Sequence, residues 1–234
     1  MRFENQTIVV TGAAGNLGRA VARQFHDAAA RVILVDAKPE FLDRHFPKSD
    51  PRYVKLAVDL LDPDAVQYSL GDIWTRYGKI DALCAVAGGL DMGDAVHDSA
   101  VGQWDTMFDL NVRTLLNSVR AVVPAMKARK AGKIVTVGAN AALKGIAQMG
   151  SYCASKSAVM RISESMAGEL REHAINVNCV LPSILDTPEN RAAMPDTDPA
   201  LWVAPPDLAS VIAFLCSVQA KAIHGALIPV VGLS

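Results

Sequence analysis

The sequence predicts an α/β fold, a single doubly wound domain over residues 1–234 built on a seven-stranded parallel sheet. Three observations lead there. Short apolar, β-branched runs alternate with longer helical patterns along almost the whole chain, as parallel strands joined by crossover helices require. The runs are continuously apolar instead of alternating, which suits strands covered on both faces. No internal repeat, charge block or low-complexity segment breaks the pattern, so no domain boundary is expected.

In chain order, the run 6–11 (QTIVVT) ends in a glycine-rich turn that leads into a helical stretch at 16–29. The runs 31–36 (RVILVD) and 53–58 (YVKLAV) follow, then a helical stretch at 63–77. The run 80–86 (IDALCAV) precedes a long helical pattern at 103–128, and 132–138 (GKIVTVG) precedes another at 151–172. The runs 175–181 (INVNCVL) and 225–231 (GALIPVV) enclose a last helix at 207–218, with Asp207 as its expected N-cap after Pro205-Pro206. Residues 182–206 carry Pro182, Pro188, Pro195, Pro199, Pro205 and Pro206, too many for a continuous helix. This segment follows the carboxyl end of a strand, the side on which open α/β sheets bind ligands, and reads as a loop over the active site. A solvated connector is the alternative.

Composition narrows the function classes. Of the residues, 51% are apolar and 20% charged, and 23 Lys plus Arg against 24 Asp plus Glu leave a net charge of -1. No basic excess exists to neutralise a phosphate backbone or an anionic bilayer, so neither nucleic acid nor membrane is an expected partner. The longest nearly uninterrupted apolar stretch, Ala82–Leu90, is far shorter than the roughly 20 residues that span a bilayer. The N-terminus enters a strand pattern without a long apolar core and cleavage site, so a cytoplasmic location is expected. Cys84, Cys153, Cys179 and Cys216 form no C-x-x-C pair and have no histidine at ligand spacing. No metal is expected, and the four read as reduced packing residues.

The chemistry begins at Thr11-Gly12-Ala13-Ala14-Gly15-Asn16-Leu17-Gly18, between the first strand and the first helix. Glycines here allow a tight turn and close approach of a pyrophosphate, and the helix N-terminus favours the anion. Gly12, Gly15, Asn16, Leu17 and Gly18 are the candidate cradle. The next strand ends at Asp36, 18 residues beyond Gly18, where a carboxylate accepts hydrogen bonds from ribose hydroxyls and repels a 2′-phosphate. NAD(H) is therefore expected over NADP(H), with Lys38 softening the preference. Asp59 and Leu60 are placed to reach the adenine edge, with an N-cap as the competing reading of Asp59. Ala87-Gly88 either admits the cofactor to the backbone or simply ends the fourth strand.

The segment Tyr152-Cys153-Ala154-Ser155-Lys156 puts Tyr152 and Lys156 on one helix face. An ammonium beside a phenol favours the phenolate, so a group with a free pKa of roughly 10 would exchange a proton nearer neutrality. Alone, such a pair is common on helix surfaces. Together, however, the glycine turn, Asp36, Ala87-Gly88, Asn111, Tyr152-x-x-x-Lys156 and Pro182-Ser183-Ile184-Leu185-Asp186-Thr187 resemble the short-chain dehydrogenase/reductase family, in order and spacing over essentially the full chain. The resemblance implies a Rossmann-type dinucleotide fold. It also implies that Tyr152 moves the proton, that Lys156 holds the nicotinamide ribose and lowers the Tyr152 pKa, and that Asn111 orders a water in the proton relay. Pro182, Leu185 and Thr187 fall at the nicotinamide end, the last two on its carboxamide.

Three departures from the family pattern stand out. Asn16 occupies a position where glycine is usual, and Ala85-Val86-Ala87-Gly88 replaces Asn-Asn-Ala-Gly. Third, the family's catalytic serine, 13 residues before the tyrosine, is Ala139 here. Without that hydroxyl a substrate oxyanion loses a hydrogen bond worth a few kcal/mol. Asn140 turning inward is one substitute, although adjacent residues at a strand end point apart. The dihydropteridine reductase branch also lacks the serine, and Gly138-Ala139-Asn140-Ala141-Ala142-Leu143, Val86-Ala87-Gly88-Gly89 and most of Leu181-Pro182-Ser183-Ile184-Leu185-Asp186-Thr187-Pro188-Glu189-Asn190-Arg191-Ala192-Ala193-Met194-Pro195 resemble it. Against it, Leu90 stands where that branch has an aromatic residue, and Asn111 is more typical of ordinary dehydrogenases.

The leading expectation is an NADH-dependent oxidoreductase that passes hydride to a small conjugated acceptor such as quinonoid dihydropteridine. A dehydrogenase/reductase of a small ketone or secondary alcohol is the second reading, and an NAD(H)-binding sensor or scaffold with little turnover the third. Small and apolar residues on the helices near 103–128 and 151–172 (Ala121, Val122, Val123, Ala158, Met166, Ala167, Gly168) suit a homodimer or homotetramer, or simple packing on the sheet.

Overall fold

Residues 1–47 and 49–234 are described by a computed structural model. Its strands are β1 (Thr7–Thr11), β2 (Arg31–Asp36), β3 (Tyr53–Ala57), β4 (Ala82–Ala85), β5 (Gly132–Val137), β6 (Ile175–Pro182) and β7 (Leu227–Val230). They form one parallel sheet in the order β3-β2-β1-β4-β5-β6-β7, as the continuous apolar runs require. The helices are α1 (Asn16–Asp27), α2 (Pro39–His45), α3 (Pro63–Tyr77), α4 (Val101–Phe108), α5 (Thr114–Arg129), α6 (Gly150–Leu170), α7 (Pro188–Ala193) and α8 (Pro205–Cys216). Among the described residues no helix is long and apolar enough to cross a membrane.

The sheet carries a core on each face. Alternate residues of one strand serve opposite faces: Ile8 and Val10 join Val32, Leu34, Phe25 and Ile212 under α1 and α8, whereas Val9 joins Ile33, Leu83, Ile134 and Val177 under α3, α5 and α6. The edge strands β3 and β7 are only partly covered, and Pro229 sits on the β7 edge, where its missing N–H is tolerated.

Several boundaries differ from the sequence reading for identifiable reasons. The pattern 103–128 is three pieces, because a π-helical turn at Asp109–Arg113 separates α4 from α5. Asp207 is not an N-cap: α8 starts two residues earlier, on Pro205 and Pro206, whose missing N–H groups suit the first helical turn. Nor does Asp59 cap α3. Asp62 does, accepting from the Asp64 and Ala65 amides. The helices α2 and α7 are short and each opens on a proline. Residues 182–206 hold α7 and a 3-10 turn at Pro199–Leu201, pinched at the base by a bridge between Leu185 and Val203. Ala121, Val122, Met166 and Ala167 are buried against the sheet within the chain itself, so packing explains their apolar character.

Reversal of strand order falls between β1 and β4. Connections run one way from β1 to β2 and β3, and the other way from β4 to β7, leaving a crevice outside the carboxyl ends of these two strands.

Candidate active site

The glycine turn lines that crevice. Gly12 has φ +63°, and a Cβ on it would lie 2.8 Å from the Ala87 Cα, so the turn packs directly on the end of β4. A Cβ on Gly18 would collide with the Gly12 carbonyl oxygen, so α1 packs in close contact with the turn. Around Gly15 the only near neighbour of a Cβ among the described residues is that same oxygen, at 3.3 Å, leaving the outer side open. Among the described residues no side chain caps α1, so the first-turn N–H groups of Asn16, Leu17 and Gly18 remain available to an anion. The turn thus fits the diphosphate of a dinucleotide.

Thr11, which the sequence reading did not single out, clamps the other side. Its Oγ1 accepts hydrogen bonds from the Val86 and Ala87 amides, both at 3.1 Å. The Asp36 carboxylate braces the turn, accepting from the Ala14 and Ala37 amides at 2.9 Å each, and retains lone pairs for hydroxyl donors. The Asn16 side chain leaves the cradle: its amide donates to Glu189 Oε2 at 2.7 Å and its oxygen accepts from Arg19, which ties α1 to α7. Asp59 is exposed and accepts from the Leu61 amide, while Leu60 is buried with its carbonyl taken by Asn117.

At the centre, Gly88 is held against polar side chains. A Cβ there would lie 2.6 Å from Asn111 Oδ1 and 3.1 Å from Lys156 Nζ. Asn111 sits in the π turn, a feature common at functional sites. Its Oδ1 accepts from the Gly89 amide at 2.9 Å, and its Nδ2 donates to the Gly89 carbonyl at 3.1 Å and to Ser155 Oγ at 3.0 Å. Ser155 in turn donates to the Tyr152 carbonyl at 2.9 Å. The side chain of Asn111 is therefore committed to positioning the wall and α6. Ser155 also escaped the sequence reading, although it lies inside the Tyr152–Lys156 segment.

Tyr152 occupies the first turn of α6 and packs on the core, and Lys156 follows one turn later, buried. Burial pushes Lys156 down to about 8, and its ammonium donates to the Val137 carbonyl at 2.9 Å. Burial pushes Tyr152 up to about 12. This corrects the expectation of a phenol lowered by its lysine: in the protein alone, Lys156 is turned to the end of β5 and desolvation governs both groups. Ala139 is buried and apolar. Asn140 begins a 3-10 turn, Asn140–Leu143, and its half-buried amide has no hydrogen-bond partner among the described residues.

Toward the loop, Pro182 ends β6. The Leu185 carbonyl accepts from Asn190 Nδ2 at 2.8 Å, while the bridge to Val203 uses the Asp186 amide and leaves the Leu185 N–H without a partner among the described residues. Thr187 Oγ1 accepts from the Asn190 amide and caps α7.

Comparison with known proteins agrees with this geometry. A family model described as short chain dehydrogenase matches residues 6–198. The chain is 30% identical over 243 residues to meso-2,3-butanediol dehydrogenase of Serratia marcescens, covering 99% of this chain and 95% of that protein. It is 32% identical over 187 residues to sorbitol dehydrogenase of Cereibacter sphaeroides, covering 80% of this chain and 73% of that protein. Among solved structures, the NADH complex of 3-ketoacyl-(acyl-carrier-protein) reductase from Brucella melitensis superposes with TM-score 0.89 at 25% identity, covering 98% of each chain.

The Lys156 environment predicts a pH signature. Between about pH 8 and 10 the folded lysine has released a proton that the unfolded chain still holds, so this residue's contribution to stability rises with pH. Urea unfolding of the protein without dinucleotide should show a rise of up to about 1 kcal/mol per pH unit from this group. Lys156→Met should remove that slope while unfolding no more easily at pH 7. An unchanged slope in the variant would show that the lysine is not desolvated.

Proposed function

Since the chain belongs to the short-chain dehydrogenase family and is an oxidoreductase, we propose that it is an NADH-dependent reductase of a flat conjugated acceptor such as a quinonoid dihydropteridine. The observation that carries this reading is Ala139: it is buried and apolar at the position where the family pattern has its catalytic serine, so it offers no hydrogen bond to a carbonyl oxyanion. A conjugated imine acceptor develops no such oxyanion. It needs a hydride, which the bound nicotinamide supplies, and a proton, which the protein supplies.

The residues divide the work accordingly. The N–H groups of Asn16, Leu17 and Gly18 hold the diphosphate, and Gly12 and Gly15 give it room. Asp36 accepts from the adenosine ribose and disfavours a 2′-phosphate, while Asp59 and Leu60 flank the adenine. Ala87 and Gly88 admit the dinucleotide to the end of β4, and Lys156 donates to the nicotinamide ribose. Pro182, the free Leu185 N–H and the Thr187 hydroxyl border the carboxamide. Tyr152 is the acid: with its pKa near 12 it holds its proton at neutral pH and releases it only as charge develops on the acceptor. Lys156, near 8, exchanges protons close to neutrality and restores the phenol. Asn111 positions Gly89 and, through Ser155, the Tyr152 turn. The segment 182–206 covers the site, the chain 1–234 acts as one catalytic domain, and exposed Leu110 and Leu116 suit pairing into a homodimer or homotetramer.

A second reading is a dehydrogenase of a small secondary alcohol or ketone. The free Asn140 amide favours it as a stand-in donor, and relatives of the chain are named for sorbitol and meso-2,3-butanediol.

Stopped-flow NADH oxidation with freshly generated quinonoid dihydropteridine, against a no-enzyme control, tests the proposal. Turnover should fall at least 100-fold in Tyr152→Phe with NADH affinity preserved; turnover that survives intact would remove Tyr152 as the acid. Ala139→Ser should raise reduction of a small ketone by roughly 10-fold or more and leave dihydropteridine turnover little changed. Efficient ketone reduction by the parent chain, lost in Asn140→Ala, would establish the second reading instead.

A further inference from the structure

We propose that Cys216 and Cys84 form an oxidation-sensitive dithiol, in which a hydroperoxide reacts at Cys216 and Cys84 then closes a disulfide with it. The two sulfurs lie 3.9 Å apart, although the residues are 132 positions apart in the chain. Cys216 ends α8 and lines a cavity of about 400 Å³ at the amino edge of the sheet, away from the glycine turn. Glu4, Gln6, Lys79, Asp81 and Lys133 line the same cavity, whose polar wall suits a small polar oxidant.

The surroundings give the two thiols different tasks. The half-buried Lys133 amine, which donates to Asn176 Oδ1 at 2.6 Å, interacts electrostatically with Cys216. Cys216 is buried as well, but it is the one of the two that lines the cavity, so an oxidant entering there meets it first. Cys84 lies in the middle of β4, fully buried, and desolvation raises its pKa well above the usual thiol range. It stays a thiol until a partner sulfur is activated next to it. In the first step the Cys216 sulfur bonds to one peroxide oxygen, the O–O bond breaks, and an alcohol or water leaves, giving a sulfenic acid. In the second, Cys84 sulfur attacks Cys216 sulfur, the S–O bond breaks, and water departs with the Cys84 proton. Two thiols are oxidised and one hydroperoxide reduced.

Closing the bond brings the sulfurs from 3.9 Å to about 2.0 Å. The shift falls on Cys216, because β4 is held between β1 and β5 whereas α8 ends there, next to exposed Val218. Since α8 packs along α1, the bond would tie the helix pair of that face to the central strand.

The test treats the folded full chain with a few equivalents of hydrogen peroxide, alkylates it under denaturing conditions and maps peptides by mass spectrometry. The expected result is a linked Cys84–Cys216 peptide and a loss of about 2 Da, with Cys153 and Cys179 still alkylated. The linked peptide should vanish in Cys216→Ser and in Cys84→Ala; circular dichroism identifies whichever variant retains the fold. Recovery of both residues as alkylated thiols, or conversion of Cys216 to the sulfinic acid with Cys84 still free, would overturn the proposal.

Discussion

A buried ammonium without a carboxylate partner is the constraint around which the site is arranged. Among the described residues Lys156 has no ion pair, and its one hydrogen bond goes to the Val137 carbonyl at the end of β5. Desolvation lowers its affinity for a proton, and that cost is tolerated because the surroundings are fixed by other means. Residue 88 must be glycine, since a side chain there would collide with Asn111 and crowd Lys156. Asn111 must be anchored, and its amide is bonded to both polar backbone groups of Gly89 and to Ser155. Thr11 anchors the adjoining β4 end to β1. Strand order reversal, the glycine turn and the π turn all converge on this small volume.

Much of the fold was legible in the sequence because each central strand is buried on both faces, and a continuous apolar run has few other readings. The glycine turn was legible for a related reason: Gly12 and Gly18 are demanded by backbone contacts that no side chain can share. What escaped lies in contacts between distant segments. One inserted residue in a helix hardly changes a hydrophobic period, so the π turn at Asp109–Arg113 was invisible within 103–128. Thr11 and Ser155 act through hydrogen bonds to backbone groups that are remote or locally neutral, and neither carries a charge or a spacing signal. Asn16 opens α1 beside the turn, but its side chain answers to Glu189, far along the chain. The Tyr152–Lys156 spacing revealed the shared helix face and not the direction of the lysine, which the carbonyl of β5 decides.

Opposite shifts of the two groups also bear on chemistry. A tyrosine that holds its proton tightly is suited to donating one to an acceptor that turns basic as hydride arrives, and a lysine near neutrality is suited to restoring it. Under the proposed reading Ala139 complements this pair, since an acceptor without an oxyanion would make little demand on that position. In a site set to oxidise alcohols, the phenol would instead have to ionise readily, and the charge that permits this would come with the oxidised dinucleotide seated beside it.

Tyrosinate absorbance near 295 nm, recorded as wild type minus Tyr152→Phe across pH 6–12 with and without saturating NAD⁺, tests this account most directly. Without dinucleotide the difference should show no ionisation until about pH 12. With it, ionisation should move toward neutrality by at least one pH unit. A Tyr152 that ionises near pH 7 in the protein alone, or one unmoved by NAD⁺, would contradict the central claim that burial sets these two groups and the dinucleotide completes the site.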